Sequence, residues 1–400
     1  MNILFISIAW PEKGERNLYT DLMDEFTRKG NTVCVAGTCD YGLRIREEIS
    51  VENGIDVLRV RTGKIRKTSH VRKALALISL SRKMGLAIRR NFGNKRFDLI
   101  IGPTPPVTLS TLFINLKRFY KVPFYLLLKD IWPQGSVDLK VMKKYSLPWI
   151  WLRRHEKQLY KAADFIGCMS PMGREYLITH NRSLKPSKID VAPNSILPTP
   201  EVPEKPHNDF RVKYNIPVDS CVFLFSGNLG IGHGLHFLVD AIKELSEYNK
   251  AFFVVGGSGT QYRFLKKAFS EEKVKNAFLY EWLPREDFLK MLSTSDVGLI
   301  LLYRYTVPQF PSRLLSYFDF QKPVLCAVNA NTDIGKIVEQ NNCGLNVNHG
   351  DLNEFVKAVK YLSENDFRRL EMGENSRRYL LDNYTVTHSY EIIMSHFKTV

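Results

Sequence analysis

The chain has 400 residues, 44% of them apolar, which is more than one core normally holds, and no apolar run approaches the roughly 20 residues of a membrane-spanning helix. Its six cysteines (Cys34, Cys39, Cys168, Cys221, Cys326 and Cys343) are scattered without metal-ligand spacing, which excludes a zinc module or a disulfide framework and points to a reduced, cytoplasmic protein without structural metal. The net charge of +16 is one-sided: residues 1–198 carry 34 Lys/Arg and 17 Asp/Glu, residues 199–400 carry 23 and 24, so an anionic partner, nucleic acid or membrane, is expected for the first half.

The opening "MNILFISIAW" is too short for a signal peptide and lacks a basic flank and cleavage site, so it reads as a first buried strand, "NILFIS" (2–7). The loop "WPEKGERN" (10–17) follows. "LYTDLMDEFTRKG" (18–30) has apolar residues at helical spacing and ends in Gly. Further strands are expected at 32–37, 55–60, 98–102, 124–128, 165–170 and 189–194. Strand–helix repetition of this kind gives a doubly wound parallel sheet. Between Val57 and Phe97 lie 13 basic residues and no acidic one. Part of this tract, 71–97, has an apolar face and a cationic one that includes Arg72, Lys73, Arg82 and Lys83. After the strand at 124–128, "LKDIWPQG" sets Lys129 and Asp130 just past a buried run. Asp130 is suited to position a hydroxyl or receive its proton; a helix cap or a partner for Lys129 is the structural alternative. "KKYSLPWIWLRRHEKQLYK" (143–161) places Trp149 and Trp151 among basic residues. That is the look of an interfacial segment, although a Trp pair also serves in cores.

The proline-rich "ILPTPEVPEKPHNDFRVKYNIP" reads as a linker. Alternation then resumes, with strands expected at 221–227, 252–257, 277–280, 296–302, 323–328 and 344–348. "FLFSGNLGIGHGLHFLVDAI" (223–242) is strand, glycine-rich turn and helix. Its spacing fits neither the dinucleotide fingerprint nor a Walker loop. The segment 309–325 is expected as a helix between two strands, opening with Phe310-Pro311-Ser312-Arg313. Pro and Ser suffice for a cap; the arginine is surplus at a positively polarised helix end unless an anion compensates it, and a phosphate would. Ser316 and Tyr317, three and four residues on, are expected on the same face.

These segments in this order, "FSGNLG", "VVGGSG", "YEWLPREDFLKMLSTSDVGLILL", "FPSRLLSYFDFQKPVLCAV" and "NNCGLNVNHGDLNEFVKAVKYL", with "LKDIWPQGSVDL" and "CMSPMGREYL" in the first half, resemble the GT-B glycosyltransferases of family 4 over nearly the whole chain. The nearest likeness is to the branch serving bacterial colanic acid, capsule and O-antigen assembly. The resemblance implies two Rossmann-like domains facing a central cleft. These would be an acceptor-binding domain at 1–198, a nucleotide-sugar domain at 199–384, and a last helix, about 385–400, packing back on the first. It implies a retaining, metal-independent hexosyl- or N-acetylhexosaminyl-transferase with a nucleotide-diphosphate donor, UDP-linked above others, and no cofactor; no Asp-x-Asp motif occurs in the chain.

The resemblance places donor contacts at Gly227, Asn228, His233, Gly257, Trp282, Ser312, Arg313, Leu314 and Ser316, and catalytic roles at Asp130 and Lys129. Lys129 stands where the family often has His. Glu12, Gly14 and Arg16 lie where relatives carry a loop near the diphosphate. Two departures bear on the site. The family's glutamate pair falls here at Pro308 and Ser316, and the usual Arg and Lys of the first donor loop fall at Asn228 and His233. Arg313 is therefore the expected replacement. The acceptor is expected to be a lipid-linked saccharide at the inner face of the cell membrane, bound peripherally through Arg72, Lys73, Arg82, Lys83, Trp149 and Trp151. A nucleotide-sugar epimerase of the same architecture would need a tight acid–base constellation. A nucleic-acid-binding protein would need a recognition fold or stacking platform, and neither is visible.

Overall fold

The structure is a computed structural model that describes residues 1–39, 47–63, 70–202, 209–271, 274–281, 283–303 and 305–397, with backbone alone for 70–75 and 209. The chain forms two compact units, Met1–Leu197 with Val386–Val400, and Pro198–Thr385.

In the first unit the elements run β1 (Asn2–Ser7), α1 (Leu18–Arg28), β2 (Thr32–Cys39), β3 (Glu47–Glu52), β4 (Ile55–Arg61), α2 (His70–Phe92), β5 (Leu99–Thr104), α3 (Ser110–Tyr120), β6 (Phe124–Leu128), α4 (Gln134–Asp138), α5 (Leu147–Ala162), β7 (Phe165–Cys168), α6 (Pro171–His180) and β8 (Ile189–Val191). The second unit holds α7 (Asp209–Lys213), β9 (Cys221–Asn228), α8 (Leu235–Glu244), β10 (Ala251–Ser258), α9 (Tyr262–Glu271), β11 (Ala277–Tyr280), α10 (Arg285–Thr294), β12 (Val297–Leu301), α11 (Arg313–Asp319), β13 (Val324–Ala327), α12 (Ile334–Gln340), β14 (Gly344–Val347), α13 (Leu352–Glu364) and α14 (Asp366–Asn383). The final helix, α15 (Val386–Met394), returns to the first unit.

The first sheet has the order β3-β4-β2-β1-β5-β6-β7-β8 and the second β11-β10-β9-β12-β13-β14. The central strands are mostly apolar runs because helices cover both faces; β6, for instance, is buried at all five positions. All pairings are parallel except β3 with β4. The strand β3 was not expected. Its sequence EEISVE carries three carboxylates, which suits an edge: Glu52 pairs with Arg59 of β4, and Glu47 with Arg90 of α2 at 2.7 Å.

The order of strands reverses between β1 and β5 in one sheet and between β9 and β12 in the other. Such switch points, at the carboxyl ends of the strands, are where doubly wound sheets bind ligands. The boundary at Pro198 has a local cause. Thr199 donates to buried Asp319 from its backbone N–H (3.0 Å) and its hydroxyl (2.6 Å), and Arg377 pairs with the same carboxylate. At the other end, the Val386 N–H donates to Ile196 O (3.0 Å), and Tyr390 of α15 packs edge-on against Phe26 of α1, with ring centroids 4.8 Å apart.

Candidate functional site

In the second unit the candidate donor residues gather at the switch point. Gly227 and Asn228 end β9. His233 follows them and donates from Nδ1 to Leu301 O, the last residue of β12, at 2.9 Å. With that proton on Nδ1, Nε2 is an acceptor, and Arg313 Nη2 lies 3.0 Å from it. Burial and the adjacent guanidinium push the His233 pKa down to about 4, so the ring is neutral near pH 7. The two strands flanking the switch point are thus tied together through a neutral histidine that holds Arg313.

The guanidinium of Arg313 lies over the Phe225 ring, 4.2 Å from its centroid, and reaches Asn228 O at 3.4 Å. Its Nη1 is buried without a hydrogen-bond partner among the described residues. Burial lowers its pKa, and no carboxylate among the described residues offsets this. A half-buried guanidinium with one covered, unpartnered nitrogen and no carboxylate among the described residues is a site for an anion. Gly227 leaves room beside it: a Cβ there would come no closer than 3.9 Å, to Arg313 Nη2. Gly257 has a different cause. Its φ is +127°, and a Cβ would sit 1.8 Å from Gly227 O, so glycine is required by the approach of β10 to β9.

The expected helix at 309–325 is shorter, α11 at Arg313–Asp319, and two expectations on it, the Ser312 cap and the open face of Tyr317, are corrected. Ser312 makes no side-chain cap bond, because its backbone (φ −62°, ψ −20°) is already helical. Leu314 is fully buried, packed inward with Leu315 and Phe318. Tyr317 does not share an open face with Ser316. It is fully buried, and its hydroxyl donates to Leu224 O at 2.9 Å. Ser316 itself is half-buried. Trp282 lies outside the described residues.

In the first unit Lys129 and Asp130 follow β6, and the Lys129 N–H donates to Thr104 O of β5 at 3.2 Å. Burial lowers the Lys129 pKa to about 8 against the pull of the Asp130 carboxylate. Asp130 keeps exposed surface, yet the atoms crowding it raise its pKa against the pull of Lys129. Tyr19, at the start of α1, has its hydroxyl pKa raised by burial and then by Asp130. Lys129 and Tyr19 border a small cavity with Asn194 and Ser195 after β8. Tyr19, Asn194 and Ser195 were not singled out from the sequence; the only signal was their place at the carboxyl side of β1 and β8. Glu12 and Gly14 are exposed in a turn closed by Glu15 N–H to Glu12 O (3.0 Å). Arg16 pairs with Asp21 in the first turn of α1 at 2.7 Å, so its charge already has a structural partner.

The basic tract splits. Arg59, Arg90 and Lys95 pair with Glu52, Glu47 and Asp56, whereas Arg82, Lys83 and Arg89 are exposed on α2. The side chains of Arg72 and Lys73 lie outside the described residues. Trp149 is half-buried against Tyr145, with centroids 5.2 Å apart, but Trp151 is 40% exposed, and Leu147 (83%) and Ile150 (50%) beside it on α5 are open too. None of the six cysteines is in a disulfide, no described helix is long and apolar enough to cross a membrane, and no metal-binding cluster occurs among the described residues.

Comparison with known proteins covers both units. Residues 14–198 match the family described as Glycosyltransferase Family 4, and residues 207–379 the one described as Glycosyl transferases group 1. The probable glycosyltransferase WbjE of Pseudomonas aeruginosa is 26% identical over 294 residues, 73% of this chain and 72% of that one. Among solved structures, sucrose-phosphate synthase from Thermosynechococcus elongatus matches with a TM-score of 0.77 at 16% identity, over 99% of this chain and 98% of that one. HepE of Anabaena, in complex with UDP, matches with 0.69 at 14% identity over 100% of both.

Proposed function

The chain belongs to the family 4 glycosyltransferases and has their two-domain GT-B fold; we propose that it moves a sugar, with retention, from a UDP-linked donor to a lipid-linked saccharide in bacterial surface polysaccharide assembly. The observation that carries the donor half is Arg313, a half-buried guanidinium at a switch point whose Nη1 is covered and unpartnered, with no carboxylate beside it among the described residues. A diphosphate is the matching anion. HepE, of the same fold, holds UDP, which supports that nucleotide.

In the proposed reaction the bond between the anomeric carbon and the β-phosphate oxygen breaks, and its electron pair leaves with the nucleoside diphosphate. The acceptor oxygen bonds to the same face of the sugar. The second unit binds the donor, and Arg313 stabilises the charge developing on the departing diphosphate. The first unit takes the acceptor. Asp130, whose raised pKa makes it a stronger base than an ordinary carboxylate, positions the acceptor hydroxyl and receives its proton. No metal or cofactor is assigned a role. The basic first half and the exposed Leu147, Ile150 and Trp151 support an acceptor at an anionic membrane surface, with peripheral attachment on the cytoplasmic side.

A donor-hydrolysis screen with UDP-, GDP- and dTDP-sugars tests the assignment. Turnover of a UDP-sugar above the others is expected. Turnover of none, with epimerisation of a UDP-sugar instead, would favour the epimerase alternative.

A further inference from the structure

A groove of about 440 Å³ lies wholly within the first unit, between α2, α3 and α5. This falls in the range of small-molecule sites, roughly 300–1,000 Å³. On α2 it is lined by Leu77, Ile78, Arg82, Gly85, Leu86 and Arg89, a single helical stripe. Ile78 (61% exposed) and Leu86 (52%) are open apolar residues with Arg82 midway between them. Trp151 of α5 forms the opposite lip and joins the groove to the exposed Leu147 and Ile150. No carboxylate lines it. Gly85 brings α2 close to α3, since a Cβ there would meet Leu112 at 3.3 Å. At the wall, Thr108 is 4% exposed, and its hydroxyl has no hydrogen-bond partner among the described residues.

We propose that this groove seats one acyl chain of an anionic phospholipid, with the lipid phosphate at Arg82 and Arg89 and the Thr108 hydroxyl donating to an ester oxygen. The inference rests on the membrane attachment proposed above and names its device: docking by extraction of a lipid chain into the protein, in addition to diffuse attraction. Leu77, Ile78, Leu86, Leu112 and Leu116 give the groove an apolar wall for a chain, and Ser81, Thr111, Asn115 and His155 with the two arginines give it polar groups for a lipid's ester and phosphate. It does not suit a nucleic acid, because the lining offers one exposed ring and no stacking series. A second copy would set one strongly basic half against another. The lining shares no residue with the candidate catalytic positions, so a bilayer lipid fits better than the acceptor.

The test uses the full chain and sedimentation with phosphatidylglycerol vesicles, phosphatidylcholine vesicles being the neutral comparison. Ile78→Glu with Leu86→Glu puts charge at exposed positions, so folding is preserved, and UDP affinity measured in parallel checks this. At high salt, where diffuse attraction is screened, the double variant is expected to lose about tenfold or more of the wild-type partitioning into phosphatidylglycerol vesicles. Arg82→Glu with Arg89→Glu is expected to erase the preference for phosphatidylglycerol over phosphatidylcholine. Wild-type-like partitioning by the Ile78/Leu86 variant overturns the groove while leaving membrane attachment in place. Absence of vesicle binding by the wild type overturns both. Partitioning unaffected by these variants but lost in Trp149→Ser with Trp151→Ser would mean that α5 inserts by itself and the groove seats no chain.

Discussion

Replacing Lys129 by Met tests whether this lysine is buried as a charge. Its pKa is about 8 in the fold against 10.5 ordinarily. Each pKa unit corresponds to ~1.4 kcal/mol, so the fold disfavours the ammonium by about 3 kcal/mol. The side chain keeps some exposed surface, and solvent screening reduces the effect to about 1–2 kcal/mol. The sign follows from proton binding. Below pH 8 both folded and unfolded chains hold the proton, and the penalty is whole. Between pH 8 and 10.5 the unfolded chain binds more protons, so wild-type stability rises with pH. Lys129→Met has no such dependence at this position. In urea denaturation the variant should exceed the wild type by about 1–2 kcal/mol at pH 7, and its advantage should shrink to nearly nothing by pH 10.5. An advantage equal at both pH values, or a wild type more stable at pH 7, would refute the reasoning.

Three further outcomes follow from named contacts. Arg377→Met leaves Asp319 buried and uncompensated and should cost about 3–5 kcal/mol, read by urea denaturation; a loss under about 1 kcal/mol would mean that the Thr199 contacts suffice. Tyr317→Phe removes the donor to Leu224 O and should lower stability by about 1–3 kcal/mol with UDP affinity unchanged; a large loss of affinity would return Tyr317 to the ligand face. Sugar transfer should survive EDTA, and complete loss restored by manganese or magnesium would contradict a metal-free diphosphate site.

Much of the fold was legible because strands covered on both faces leave apolar runs; NILFIS and FYLLL coincide with β1 and β6, and the half-buried edge run AFLY with β11. The edge strand β3 left no such run, since half its residues are carboxylates, Glu52 pairing with Arg59 and Glu47 with Arg90 of α2. The surplus arginine at 313 was visible as a local oddity. Its setting was not: His233 is 80 residues away, and the bond from its ring to Leu301 O depends on β9 and β12 being neighbours across a chain crossover. Helical spacing put Ser316 and Tyr317 close together, but 100° per residue cannot say which of two adjacent positions turns inward. Aromatic bulk drew Tyr317 under Gly298, where a Cβ would meet its ring at 2.3 Å. Exposure of Trp151 rather than Trp149 was equally unreadable, because both share one apolar cluster of sequence.

The central claim is that Arg313 holds a nucleotide diphosphate. Calorimetric titration of UDP into the wild type and Arg313→Ala, in EDTA, measures it directly. A charge-assisted hydrogen bond contributes roughly 1.5–3 kcal/mol, so the variant should bind about tenfold to a hundredfold more weakly, with thermal unfolding unchanged or slightly raised. Equal UDP affinity in the two proteins would remove Arg313 from the site and with it the donor half of the proposed reaction.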